Sequence, residues 1–129
     1  MKINKFEDLE IWQLSVKLTK EIYVLIKKEG FNKDFSLKEQ IRRAVISISS
    51  NISEGFEKNN NNEFIRFLKI AKGSAGEVRS QAYLALEIGY LDKKEFEEIC
   101  GSVVLLSSKI GRFISYLEDQ RMRGNFITR

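Results

Sequence analysis

The chain has 129 residues, with 22 Lys and Arg against 18 Asp and Glu, a net charge of +4, one cysteine, no histidine and no proline. That length suits one domain, which buries roughly two-thirds of its unfolded chain's surface without needing a disulfide or a metal. Cys100 alone excludes an intramolecular disulfide and a zinc cluster, and the lack of histidine excludes histidine-dependent triads and the Glu-x-x-His di-iron motif.

Apolar residues at alternating three- and four-residue steps predict helices throughout. The first spans about residues 8–28, with Leu9, Trp12, Val16, Thr19, Tyr23 and Ile26 on its expected seam. A second stripe, Ile11, Leu14, Leu18, Ile22 and Leu25, lies on another side, and a helix apolar nearly all round is buried nearly all round. We therefore expect an oligomer interface built from Ile11, Leu14, Leu18 and Leu25, joined by Ile46, Tyr83, Leu86 and Tyr90, which fall outside their own seams. A lone bundle with scattered exposed apolar residues is the alternative.

The second helix is expected over about 37–54, with Leu37, Ile41, Ala44, Ile48 and Asn51 on the seam, widened by Val45 and Ile52. The third, about 61–88, has Phe64, Phe67, Ala71, Ser74, Val78, Gln81, Ala85 and Ile88, widened by Leu68, Ala75 and Ala82. The fourth, about 93–119, has Phe96, Ile99, Val103, Leu106, Ile110, Phe113 and Leu117, and a basic tail follows over 121–129. Ser36-x-x-Glu39, Asn60-x-x-Glu63 and Asp92-x-x-Glu95 read as helix starts of the capping-box kind. Gly30, Gly55 and Gly89 each follow a periodic run and read as left-handed helix ends. Short connections between long amphipathic helices favour antiparallel neighbours. The expected fold is all-α: one domain over 1–120, an up-down-up-down four-helix bundle with left-handed packing.

The N-terminal MKINKFEDLE lacks the apolar core of a signal peptide, and no run reaches the roughly 18 apolar residues of a membrane span. A cytoplasmic protein without a membrane partner is expected. Asn-Ile-Ser at 51–53 falls inside a helical pattern and does not read as a glycosylation acceptor.

Two polar features could carry chemistry. In AKGSAGEV at 71–78, Gly73 and Gly76 each cost about 1 kcal/mol of helix propensity, and close approach of neighbouring helices offsets that better than a phosphate loop, since no strand precedes them. Ser47, Asn51, Glu54, Ser74 and Glu77 suggest a buried polar cluster between the second and third helices. Register and capping explain it better than catalysis or metal binding, because no ligand-rich spacing accompanies the two carboxylates. No catalytic residue, metal or cofactor is assigned.

The basic residues supply the functional candidate. Arg66, Lys69, Lys72 and Arg79 lie outward on the third helix, Arg42 and Arg43 on the second, Lys58 in the loop between, and Arg121, Arg123 and Arg129 in the tail. Such residues form a solvated face or a nucleic-acid contact, and an oligomer would multiply a modest patch into a large field.

FEDLEIWQLSVKL at 6–18, QIRRAVISISSNISEG at 40–55, EFIRFLKIAKGSAGEV at 63–78 and LEIGYLDKKEFEEI at 86–99 resemble the four-helix-bundle proteins encoded by intervening sequences in bacterial 23S ribosomal RNA genes. The Asn-x-x-Glu-Gly end of the second helix is the most specific motif. The same bundle is shared by accessory proteins of diversity-generating retroelements, ring-shaped pentamers that engage a reverse transcriptase and nucleic acid. The resemblance implies a homo-oligomer, a pentamer, with no catalytic residues and with RNA or a reverse-transcriptase-type ribonucleoprotein as partner. A protein-interaction scaffold without a nucleic-acid role is the alternative. Two departures stand out: Ser49 where the family often has proline, which implies a straighter second helix, and FEKNNNN where the family has basic residues, which weakens a nucleic-acid role for Lys58.

Overall fold

The computed structural model describes residues 3–122 and 124. A single 3-10 turn, Phe6–Asp8, leads into α1, Glu10–Leu25; α2, Glu29–Lys33, is one short turn; α3, Phe35–Glu57, α4, Asn61–Ile88, and α5, Lys93–Met122, are long. There is no strand among the described residues. The four long helices close a ring around one core: α3 packs on α4, α4 on α5, and α1 on both α3 and α5. No helix among the described residues is long and apolar enough to cross a membrane.

Each stop and start has a local cause. Asn59 takes a left-handed φ of 53°, and Asn60 then caps α4 by accepting from the Glu63 N–H at 3.0 Å. At the far end Gly89, with φ 100°, turns the chain while the N–H groups of Gly89 and Tyr90 both reach the Ala85 carbonyl. Asp92 and Glu95 form a reciprocal capping box: each side chain accepts from the other's N–H, at 2.8 and 2.9 Å.

Three boundary expectations are corrected. Gly30 ends nothing: α1 stops at Leu25, and Gly30 sits within α2, where a Cβ would lie 3.0 Å from the Tyr90 ring. The cap of α3 is Asp34, not Ser36; its carboxylate accepts from Leu37 N–H at 3.1 Å and from the Tyr90 hydroxyl at 2.8 Å. Gly55 is helical and buried, two residues before the end of α3, because a Cβ there would fall 2.6 Å from Phe67 Cβ and 3.1 Å from the Phe64 ring. Only glycine lets α3 and α4 approach that closely at their shared corner.

The seams of α3, α4 and α5 form the core, with Val45, Ile48, Ile52, Phe64, Leu68, Ala71, Ala75, Val78, Ala82, Ala85, Ile110 and Leu117 wholly excluded from solvent. Of the expected seam residues, Asn51, Gln81 and Phe113 are only half-buried, and Ile88, the last residue of α4, is 55% exposed. On α1 the core takes the other stripe: Ile11, Leu18 and Ile22 are buried, with Ser15 between them returning its hydroxyl to the Trp12 carbonyl. Leu9 and Ile26 are buried at the two ends of α1, whereas Trp12, Val16, Thr19 and Tyr23 are only half-buried. The aliphatic stripe fills the centre, and the residues with polar atoms sit at the edge, where Thr19 donates to the Ser15 carbonyl at 2.8 Å and the indole and phenol stay within reach of water. Aromatic contacts seal both ends: Phe56, Phe64, Phe113 and Tyr116 meet edge-to-face in a chain at one, and Phe31 stacks on Tyr90 at the other, 5.5 Å apart.

Candidate nucleic-acid interface

The polar cluster forms only in part. The Ser47 and Ser74 hydroxyls meet at 2.9 Å between α3 and α4, and Asn51 donates to both the carbonyl and the hydroxyl of Ser47, at 2.8 and 2.9 Å. The link across the two helices is therefore the serine pair, with Asn51 holding one partner in place. Glu54 and Glu77, expected in the cluster, are exposed and hydrogen-bond to none of its members, so no buried carboxylate pair exists there. Among the described residues no group of three or more Cys, Asp or Glu is arranged to hold a metal ion.

The basic residues divide by what neutralises them. Arg42 pairs with Glu39 at 2.8 Å, and Arg66 grips Glu63 through two nitrogens, at 2.9 and 3.2 Å, while lying over the Phe67 ring at 4.6 Å. The hydrogen bond from Arg66 holds the Glu63 carboxyl below its ordinary range, and the same bond raises the Arg66 guanidinium. Lys69 reaches Glu118 on α5 at 3.6 Å, Arg121 donates to Asn62 at 3.0 Å, and Lys58 lies 5.8 Å from the Phe67 ring centre. These residues serve local structure first.

Arg43, Lys72 and Arg79 are exposed and have no carboxylate of the described residues within salt-bridge distance. Lys72 and Arg79 lie two helical turns apart on α4, about 10 Å along the axis, facing α5. With Gly76, Val103, Val104, Ser107 and Ser108 they line a groove of about 320 Å³, and Gly76, Arg79, Ser80 and Tyr83 line a second depression that continues from it. Gly111 on α5 leaves room for the lysine stem, since a Cβ there would sit 3.3 Å from Lys72 Cε. Arg123 lies outside the described residues.

The expected interface residues separate as well. Ile11 and Leu18 are 3% and 1% exposed inside the bundle and are corrected to core residues, since no second molecule can reach them. Leu14, Leu25, Leu86 and Tyr90 are half-buried against the same core. Ile46 and Tyr83 remain exposed, at 41% and 44%. Sequence patterns missed Ile70, Leu84 and Ile88, which are exposed along one side of α4 at spacings of 14 and 4 residues. Gly73, Glu77 and Ser80 interrupt that line in the sequence, so no continuous apolar period marks it.

A family profile described as 23S rRNA-intervening sequence protein matches residues 7–112. The chain belongs to that family. No curated protein matches it. Among solved structures it is similar to a protein of unknown function from the S23 ribosomal protein family of Bacteroides thetaiotaomicron, with 24% identity and a TM-score of 0.74 over 81% of this chain and 97% of that one. At that identity the likeness speaks for the fold.

Proposed function

We propose that this member of the family is a non-enzymatic, cytoplasmic homo-oligomer that binds RNA, free or within a reverse-transcriptase-type ribonucleoprotein, through the basic outer face of α4. The observation that carries this reading is the exposed Lys72 and Arg79, which no carboxylate of the described residues neutralises. Cations already paired within the chain gain little from a phosphate, whereas unpaired ones displace its counterions.

The architecture of this reading is an antiparallel, left-handed up-down-up-down bundle, a pentamer by the resemblance. Contact pairs of α3 and α4 run in opposite order, Asp34 with Tyr90, Ser47 with Ser74 and Phe56 with Phe64, in support of the antiparallel course. Self-association is supported by Ile46 on α3 and by Ile70, Leu84 and Ile88 on α4, exposed apolar residues without a purpose in one protomer. The same residues favour a second reading, a protein-interaction scaffold with no nucleic-acid role. Titrating a labelled structured RNA at several salt concentrations separates the two. Affinity falling steeply with salt supports the RNA reading; weak, salt-independent binding leaves the scaffold.

A further inference from the structure

Gly73 and Gly76 pose a problem that the bundle does not solve. Both are exposed in the middle of α4, and a Cβ added to either would meet nothing within 4 Å. The close approach expected to offset their cost falls at Ala71, Ser74 and Ala75, which are buried, while the glycines themselves touch nothing. Each glycine weakens the helix by about 1 kcal/mol relative to alanine. Gly76 lines the α4–α5 groove, where a side chain would take up open space.

That groove has a consistent chemistry. Its two depressions are lined by Lys72, Arg79, serine hydroxyls, Tyr83 and a valine floor, and by no carboxylate. The depressions between α1 and α5 differ: one includes Asp8 and Glu10, the other Glu21, Glu95 and Glu98. Ser80, Ser107 and Ser108 make no side-chain hydrogen bond to any described residue. Arg79 lies 6.0 Å from the Tyr83 ring centre, so a cation and an exposed aromatic stand side by side at one end.

We infer that the α4–α5 groove is a subsite for the sugar–phosphate backbone of single-stranded RNA, an inference that rests on the RNA reading above. Lys72 and Arg79 take successive phosphates, the serine hydroxyls face the ribose and phosphate oxygens, and Tyr83 with Arg79 offers a stacking platform for one base. Gly76 keeps the floor open to the strand. A groove of about 320 Å³ between two helices admits a single strand but not a duplex, whose bases are already stacked and paired.

The test uses the full chain and fluorescence anisotropy of a labelled, mixed-sequence RNA of about 16 nucleotides, single-stranded or annealed to its complement. Gly76→Leu fills the groove without changing charge, and it folds because leucine is the better helix former and the site is open. We expect this variant to bind single-stranded RNA about tenfold more weakly, equivalent to about 1.4 kcal/mol, with unaltered circular dichroism. Lys72→Gln with Arg79→Gln lowers the salt slope by about 1.4, at 0.7 per phosphate contact on a single strand. Lys17→Gln with Lys20→Gln, exposed on α1, removes the same charge and leaves the slope unchanged. If the unmutated protein binds no RNA at low salt, the RNA reading and this subsite fail together. If it binds and the groove variants bind equally well, the subsite alone is overturned. Equal affinity for the annealed duplex overturns it too.

Discussion

Glycine-to-alanine substitutions should change sign from one position to another within this bundle. At Gly55 a Cβ would stand 2.6 Å from Phe67 Cβ, an atom fixed to the α4 backbone, so relief requires α3 and α4 to separate rather than a side chain to rotate. Overpacking of that kind costs about 1–3 kcal/mol, and the helix propensity gained returns about 1 kcal/mol. Gly55→Ala is thus expected to destabilise by up to about 2 kcal/mol. At Gly73 and Gly101 a Cβ meets nothing, and only the propensity gain of up to about 1 kcal/mol remains. Urea unfolding followed by circular dichroism measures each difference. Runs at several protein concentrations are needed, because an oligomer's midpoint moves with concentration. In thermal scans each kcal/mol corresponds to about 3–6 °C for a chain of this size. Gly55→Ala more stable than the parent, as expected for Gly73→Ala, would falsify the claim that this glycine sets the spacing of α3 and α4.

The core and the outer apolar face should respond differently to substitution. Leu18→Ala costs about 2–5 kcal/mol, because Leu18 is 1% exposed. Ile46→Lys leaves helicity largely intact by circular dichroism and yields a smaller species by light scattering, because a charge is costly to bury unpaired at an interface; an unmutated protein that is already monomeric sinks the interface. The Asp34–Tyr90 bond makes stability sensitive to pH at both extremes. The Leu37 N–H and then the Tyr90 hydroxyl lower the Asp34 carboxyl, so its contribution is full above about pH 4 and fades as pH falls through the folded value. The hydrogen bond to Asp34 raises the Tyr90 hydroxyl, so its contribution is full below about pH 10 and fades as pH rises through the folded value. Tyr90→Phe removes the alkaline limb and moves the Asp34 titration upward by NMR; an Asp34 that titrates at the ordinary carboxylate value rules the linkage out.

Much of the fold was legible because α3, α4 and α5 each carry one dominant apolar stripe, and a single stripe at helical spacing admits one orientation. The first segment carried two, and spacing alone could not rank them. Side-chain chemistry could have: Ile11, Leu18 and Ile22 bury without a polar remainder, whereas Trp12, Thr19 and Tyr23 each bring an N–H or O–H that wants a partner. Gly55 was misread for a related reason. A glycine after a periodic run signals a helix end as readily as a close approach, and only the position of Phe67 on the opposing helix distinguishes them. The candidate site was less legible still. Sequence places Lys72 and Arg79 outward, but the groove needs Val104, Ser107 and Ser108 from α5, and which cations are already neutralised depends on cross-helix partners such as Glu118 for Lys69.

The corner at Asn59 and Asn60 bears on the order in which the chain can assemble. Phe56 meets Phe64 across it after only eight residues, Ser47 meets Ser74 across 27, and Asp34 meets Tyr90 across 56. The entropy lost in closing a loop grows with its length, so the aromatic contact beside the corner is the least demanding to form. Each pair formed shortens the free chain before the next. The α3–α4 interface is thus a graded series in which contacts near the turn lower the barrier for those farther out, as expected of a fold rich in local contacts.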